Sequence, residues 1–197
     1  MRLSPGDHPP ATALAEIYQP PLPGYSPRGM DIDRSGVVWM PLASGHLASF
    51  DRRKCKGPLN GPTATGNHCP EGWTLYQFPG PQISNVTAPG SAEASYYVWV
   101  DQHNTLGLGP NVPIATGNGN EALLALVDGK FVTLHVPYPL GFYAKGMDGR
   151  IDEARAGWKG KGIWTTTGNR TPFHFEGGKG TRPKVVHLQL RPDPLAR

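Results

Sequence analysis

His174 and Glu176 stand two residues apart. On a strand, alternation points both side chains to one face. A His beside a carboxylate binds a metal or works as an acid–base pair; the plainer alternative is a hydrogen-bonded surface pair. Asp101, His103 and Asn104 form a second group, directly after the segment that carries Trp99. At the mouth of a channel, Asp101 and His103 would offer metal ligands and His103 and Asn104 ligand contacts, with Mg²⁺ or Ca²⁺ the ions that oxygen-rich sets suit. The same three residues are also ordinary turn formers. Arg28 and Lys145 each precede Gly-Met-Asp. They either present positive charge to an anionic ligand or form repeat-specific salt bridges with Asp31 and Asp148. Cys55 and Cys69 flank a polar loop rich in Gly, Pro and Asn. A disulfide there would stabilise by roughly 3 kcal/mol and imply an oxidising compartment; the alternatives are two free thiols or a metal pair with His68.

The elements that must position these groups repeat three times. An element ending in Pro occurs as Glu16-Ile-Tyr-Gln-Pro-Pro21, as Thr74-Leu-Tyr-Gln-Phe-Pro79 and as Thr133-Leu-His-Val-Pro137. A Trp-bearing element follows each: Gly36-Val-Val-Trp39, Tyr96-Tyr-Val-Trp99 and Gly162-Ile-Trp164. Recurrent short strands around a Trp predict an all-β chain of three four-stranded propeller-type blades, with the Trp side chains in the core or, alternatively, stacking on a ligand. The third unit lacks an outer strand, and Ala15 to Gln19 is the candidate to complete it. Propellers typically close with four to eight blades, so three imply either dimerisation into a six-bladed ring or a piece of a longer protein. The expected organisation is a Pro-rich arm at 1–13, the blades over 14–190 and a tail at 191–197. Asp128-Gly129 marks a hairpin, and Gly107 to Asn120 reads as a separator between strands.

Composition agrees. The 197 residues hold 26 Gly and 22 Pro, too many for long helices. The formal charge of +4 is scattered, without the basic stripe that nucleic acid requires. No apolar run approaches the roughly 18 residues of a membrane span, and the first residues lack the apolar core of a signal peptide. The expected partners are a small molecule and a second copy of the chain, not nucleic acid or membrane.

The run Arg28-Gly-Met-Asp-Ile-Asp-Arg-Ser-Gly-Val-Val-Trp39, followed by His46-Leu-Ala-Ser-Phe-Asp51 and Gly72-Trp-Thr-Leu-Tyr-Gln-Phe-Pro79, resembles one blade of the streptogramin (virginiamycin B) lyase-like propellers. NHL and gluconolactonase-type propellers share the style. The resemblance implies ligand binding in a funnel at one end of a central channel. It also implies a site of His and Glu side chains with a divalent ion, for which His174 and Glu176 are the nearest match in type. The implied activity is a metal-assisted lyase or a lactone or ester hydrolase; the alternative is a non-catalytic binding or self-association module. The resemblance further implies a C-terminal segment of a larger protein, periplasmic or secreted.

Overall fold

A computed structural model describes residues 1–81, 90–137, 141–167 and 183–195. Strands β1 (Arg2–Ser4) and β2 (Leu14–Glu16) pair as an antiparallel ribbon. The first large sheet is a meander of β3 (Asp31–Ile32), β4 (Val38–Leu42), β5 (His46–Phe50) and β6 (Trp73–Gln77). The second repeats that order with β7 (Val98–Asp101), β8 (Val112–Gly117), β9 (Ala122–Val127) and β10 (Lys130–His135). The third holds β11 (Met147–Ile151), β12 (Lys161–Thr167) and β13 (Lys184–Leu188). All pairings are antiparallel. Among the described residues the chain is thus all-β with four sheets, an arrangement that fits part of a propeller. Among the described residues the third sheet has three strands, against the four expected.

The sheets meet through their first strands: β3 and β4 lie against β7, and β7 lies against β11. Leu47, Phe78, Val98, Ala115 and Leu124 fill one interface, with Trp39, Tyr76 and Phe131 at its margin. Trp99, Ile114, Phe142, Met147 and Ile163 fill the next. Alternation explains the division, since successive residues of one strand face opposite neighbours. Val98 thus serves the first interface and Trp99 the second. The second sheet is covered on both faces, so β8 and β9 are buried along nearly their whole length.

The three Trp residues are not equivalent. Trp39 and Trp164 occupy second strands, opposite Asp31 and Asp148. Their indoles donate to Asp33 at 3.0 Å and Asp152 at 3.1 Å. Trp99 instead occupies a first strand, opposite Ile114, which makes it the counterpart of the two aspartates. Its ring lies so close to Gly149 that a Cβ there would fall 2.3 Å from it. Core placement holds for Trp99, which is 7% exposed, but not for Trp164, which is 40% exposed. The outer face of the third sheet carries Trp164 stacked on His187 at 4.2 Å, and no further sheet covers it among the described residues.

Two further expectations are corrected. The Gly107 to Asn120 segment is not a mere separator: Val112-Pro-Ile-Ala-Thr-Gly117 runs as buried strand β8, its small and apolar residues fitting a position enclosed on both faces. The segment at Ala15 does not complete the third sheet. The Pro-rich arm folds back so that Arg2 to Ser4 pairs with it, while Tyr18 packs on Phe50 with ring centroids 4.4 Å apart.

Glu16 ties the ribbon to the first sheet. Its carboxylate is 2% exposed and accepts from Arg52 Nε and Nη2, each at 2.6 Å, and from Asn60 Nδ2 at 2.9 Å. The Tyr18 hydroxyl also donates to it. The Arg52 hydrogen bonds lead the causes that hold this carboxyl at about 2 instead of the ordinary 4.5, against the opposing effect of burial. A depressed carboxyl binds its proton later in the folded chain than in the unfolded one. Its contribution to stability is therefore complete above pH 4.5 and lost as the pH falls toward about 2. Urea midpoints measured across that window should fall in the native chain and fall less steeply in Glu16→Gln.

Cys55 and Cys69 form a disulfide, with Cα atoms 5.2 Å apart. Of the alternatives open in the sequence, a metal pair with His68 is therefore not the arrangement found. His68 Nδ1 lies 2.9 Å from the Ile17 carbonyl oxygen, so the bridged loop also leans on the N-terminal segment.

Candidate functional site

The segments entering the three first strands converge. Gly29 N–H donates to the Tyr96 carbonyl at 3.1 Å, bringing the approach to β3 against the approach to β7. A Cβ on Gly29 would lie 2.2 Å from the Tyr97 ring, so the close approach needs glycine there. Arg28 Nη1 donates to the Ser95 carbonyl at 2.6 Å. The Arg28 guanidinium lies 4.2 Å from the centroid of the Tyr96 ring. Lys145, on the approach to β11, places its Nζ 5.1 Å from the same centroid. Tyr143 completes the group, its ring 5.7 Å from Tyr96 and tilted by 51°.

Two buried polar side chains hold these segments. Thr116 Oγ1 accepts from the Tyr96 N–H at 3.0 Å and the Tyr97 N–H at 3.2 Å. Asn118, 1% exposed, accepts from Ala144 N–H at 2.8 Å and donates to the Ala144 carbonyl at 3.1 Å. A side-chain amide that pairs with both backbone groups of one residue fixes its neighbours, here Tyr143 and Lys145.

The electrostatics are lopsided. Among the described residues neither Arg28 nor Lys145 forms an ion pair with a carboxylate. The expected salt bridges are absent because the aspartates are engaged elsewhere. Asp31 accepts from Ile32 N–H and Val100 N–H, both at 2.8 Å, and Asp148 pairs with Arg150 at 3.2 Å. The hydrogen bond from Tyr143, followed by the charges of Arg28 and Lys145, pulls the Tyr96 phenol below its ordinary value of 10 against the opposing effect of burial. Two cations and an acidified phenol make a surface that favours negative charge.

A polar cleft of about 440 Å³ continues along the first strands, lined by Asp31, Trp99, Gln102, His103 and Asp148 among others. His103 lines this cleft, beyond the end of β7 opposite to Tyr96. Asp101 is elsewhere: fully buried, it accepts from the N–H groups of His103, Thr105 and Leu106 at 3.2, 2.8 and 3.0 Å. Asn104, in a left-handed conformation at φ 51°, accepts from Gly109 N–H at 2.9 Å. Both side chains shape the loop. His174 and Glu176 lie outside the described residues. No group of three His, Cys, Asp or Glu side chains able to hold a metal occurs among the described residues.

Sequence inspection missed Tyr96, Tyr143, Thr116 and Asn118. A signal for Tyr96 existed. With Trp99 aligned to Asp31 and Asp148, Tyr96 falls at the same offset as Arg28 and Lys145. One equivalent position in each repeat thus supplies a member of the cluster.

No family model matches the chain, and no curated protein matches it. Two solved structures, both streptogramin lyases, are similar in part. One is a catalytically inactive virginiamycin B lyase from Staphylococcus aureus with quinupristin, at a TM-score of 0.43 and 12% identity, covering 88% of this chain and 44% of that one. The other is a streptogramin B lyase at a TM-score of 0.28 and 13% identity, covering 92% and 74%. The chain spans less than half the length of the first. At these values neither structure assigns an activity to it.

Proposed function

We propose that this chain is a propeller-type segment that binds a small anionic molecule where its sheets converge, with Arg28 and Lys145 as the charge-bearing contacts. The observation that carries the reading is the meeting of these two cations over one Tyr96 ring, with no carboxylate partner among the described residues. His103, which lines the polar cleft along the first strands, is the further ligand contact in this reading. The Cys55–Cys69 bridge accords with a periplasmic or secreted setting. No helix among the described residues is long and apolar enough to cross a membrane. Titration of the native chain with inorganic phosphate or acetate, followed by tyrosine difference absorbance, tests the reading. Saturable binding that weakens as salt rises is the expected result; a flat response at low salt ends it.

Catalysis by this chain, as a lyase or a lactone or ester hydrolase, is a further step. It rests on His174 and Glu176, with a divalent cation such as Mg²⁺ or Ca²⁺. A stoichiometric ion retained by the purified chain and lost in His174→Ala is the result that would favour it. Self-association into a six-bladed ring remains the companion proposal for the open faces, and mass in solution tests it.

A further inference from the structure

The outer face of the first sheet, opposite the one that meets the second sheet, opens into a groove of about 400 Å³. Its walls include Met30, Ile32, Val38, Met40, Phe50 and Trp73. That volume lies within the range of small-ligand pockets, which are mostly apolar with a few placed polar groups. The N-terminal segment forms one side, with Tyr18 on Phe50 and Phe50 in turn 4.9 Å from Trp73. Met30 and Ile32 remain 49% and 43% exposed, an unusual position for two apolar side chains that share one groove.

The groove has a charged rim of a single sign. Arg2, Arg28 and Arg52 all belong to its lining. Glu16 offsets part of this charge, since it takes Arg52 at 2.6 Å and Arg2 at 3.6 Å. Arg28 has no carboxylate partner among the described residues. The same Arg28 is the cation stacked on Tyr96, so one residue borders both the apolar groove and the anion cluster. The indole N–H of Trp73, a wall residue, is buried without an acceptor. An apolar floor and surplus positive charge at one rim describe the complement of one kind of molecule.

We propose that the anion is amphipathic: a single-chain carboxylate whose head engages Arg28 and whose hydrocarbon tail lies in the groove between Met30, Ile32 and Trp73. The proposal rests on the anion-binding reading of the Arg28–Tyr96–Lys145 cluster and adds the chemical class of the ligand. Apolar contact strengthens with buried area, and each methylene entering such a groove raises affinity about fourfold. Short anions would meet only the head contact.

The test is calorimetric titration of the full chain with acetate, hexanoate, octanoate and decanoate, with Trp fluorescence followed in parallel. Affinity should climb by about fourfold per methylene until the groove is filled. The climb should flatten in the Met30→Ser/Ile32→Ser variant, whose exposed positions leave the core untouched. Decanol, which lacks the charge, should bind at least tenfold more weakly than decanoate, and Arg28→Ala should erase that difference. Acetate and phosphate binding that depends on Lys145, with no gain from chain length, would overturn the proposal and leave the anion reading standing. A steep chain-length dependence with decanol equal to decanoate would overturn it from the other side, because the head would not be engaged. Absence of binding by every probe would remove the proposal and the anion reading together. A dimer that becomes monomeric in Met30→Ser/Ile32→Ser and binds no carboxylate would assign the groove to a second copy of the chain, and the proposal would fall.

Discussion

Replacing Arg28 and Lys145 together with alanine is expected to weaken anion binding at least about 100-fold. A hydrogen bond to a charged group is worth about 1.5–3 kcal/mol, and two are removed at once. Neither substitution strands a buried carboxylate, because Asp31 and Asp148 have other partners. Lys145→Ala alone should therefore keep its thermal midpoint while losing affinity, which separates a binding role from a structural one; Arg28→Ala also strips the donor from the buried Ser95 carbonyl and should lower the midpoint. Arg28→Lys should recover only part of the loss. A lysine keeps the charge but not the planar group that stacks on Tyr96 while reaching the Ser95 carbonyl. Calorimetry with phosphate on the native chain and these variants measures all of this. Native-like affinity in the double variant would remove the two cations from the site.

The largest stability effect is expected at Trp99. Truncation of a packed core Trp to alanine costs about 3–5 kcal/mol. Trp99 is 7% exposed and lies against Gly149 in the interface of the second and third sheets. Trp164→Ala should cost about 1 kcal/mol or less, since its ring is 40% exposed on an outer face. Urea denaturation of the two variants reads the contrast directly. Equal losses would mean that Trp99 and Trp164 sit in equivalent interiors after all. Gly149→Ala should also destabilise, because its new methyl would fall within 2.3 Å of the Trp99 ring.

Much of this architecture is legible in the sequence, and what is not legible has physical reasons that differ from element to element. Short strands, the Asp128-Gly129 hairpin and the pairing of Cys55 with Cys69 follow from local composition and spacing, and all three are present. The most conspicuous residue of each repeat is Trp, on which the repeats align most readily. That alignment sets Trp99 one strand out of register and hides Tyr96, which is in line with Arg28 and Lys145 once Asp31, Trp99 and Asp148 are superposed. Strand β8 was obscured because Gly and Asn flank it and Pro113 interrupts it. The ribbon of β1 and β2 was unreadable for another reason. Three residues of an arm carry almost no pattern, and only the buried Glu16 and its donors explain why they stay. Thr116 and Asn118 are ordinary polar residues in sequence; their roles come from backbone groups more than fifteen residues away.

Asn60 lies inside the loop that Cys55 and Cys69 close, and its amide is one of the donors to Glu16. Opening that bridge loosens a donor as well as a loop, so the redox state of one pair of sulfur atoms reaches a distant carboxylate. With the bridge open, Arg52 and Tyr18 would still hold the Glu16 carboxylate, and the ribbon would keep its ionic tie while losing the one that the loop supplies.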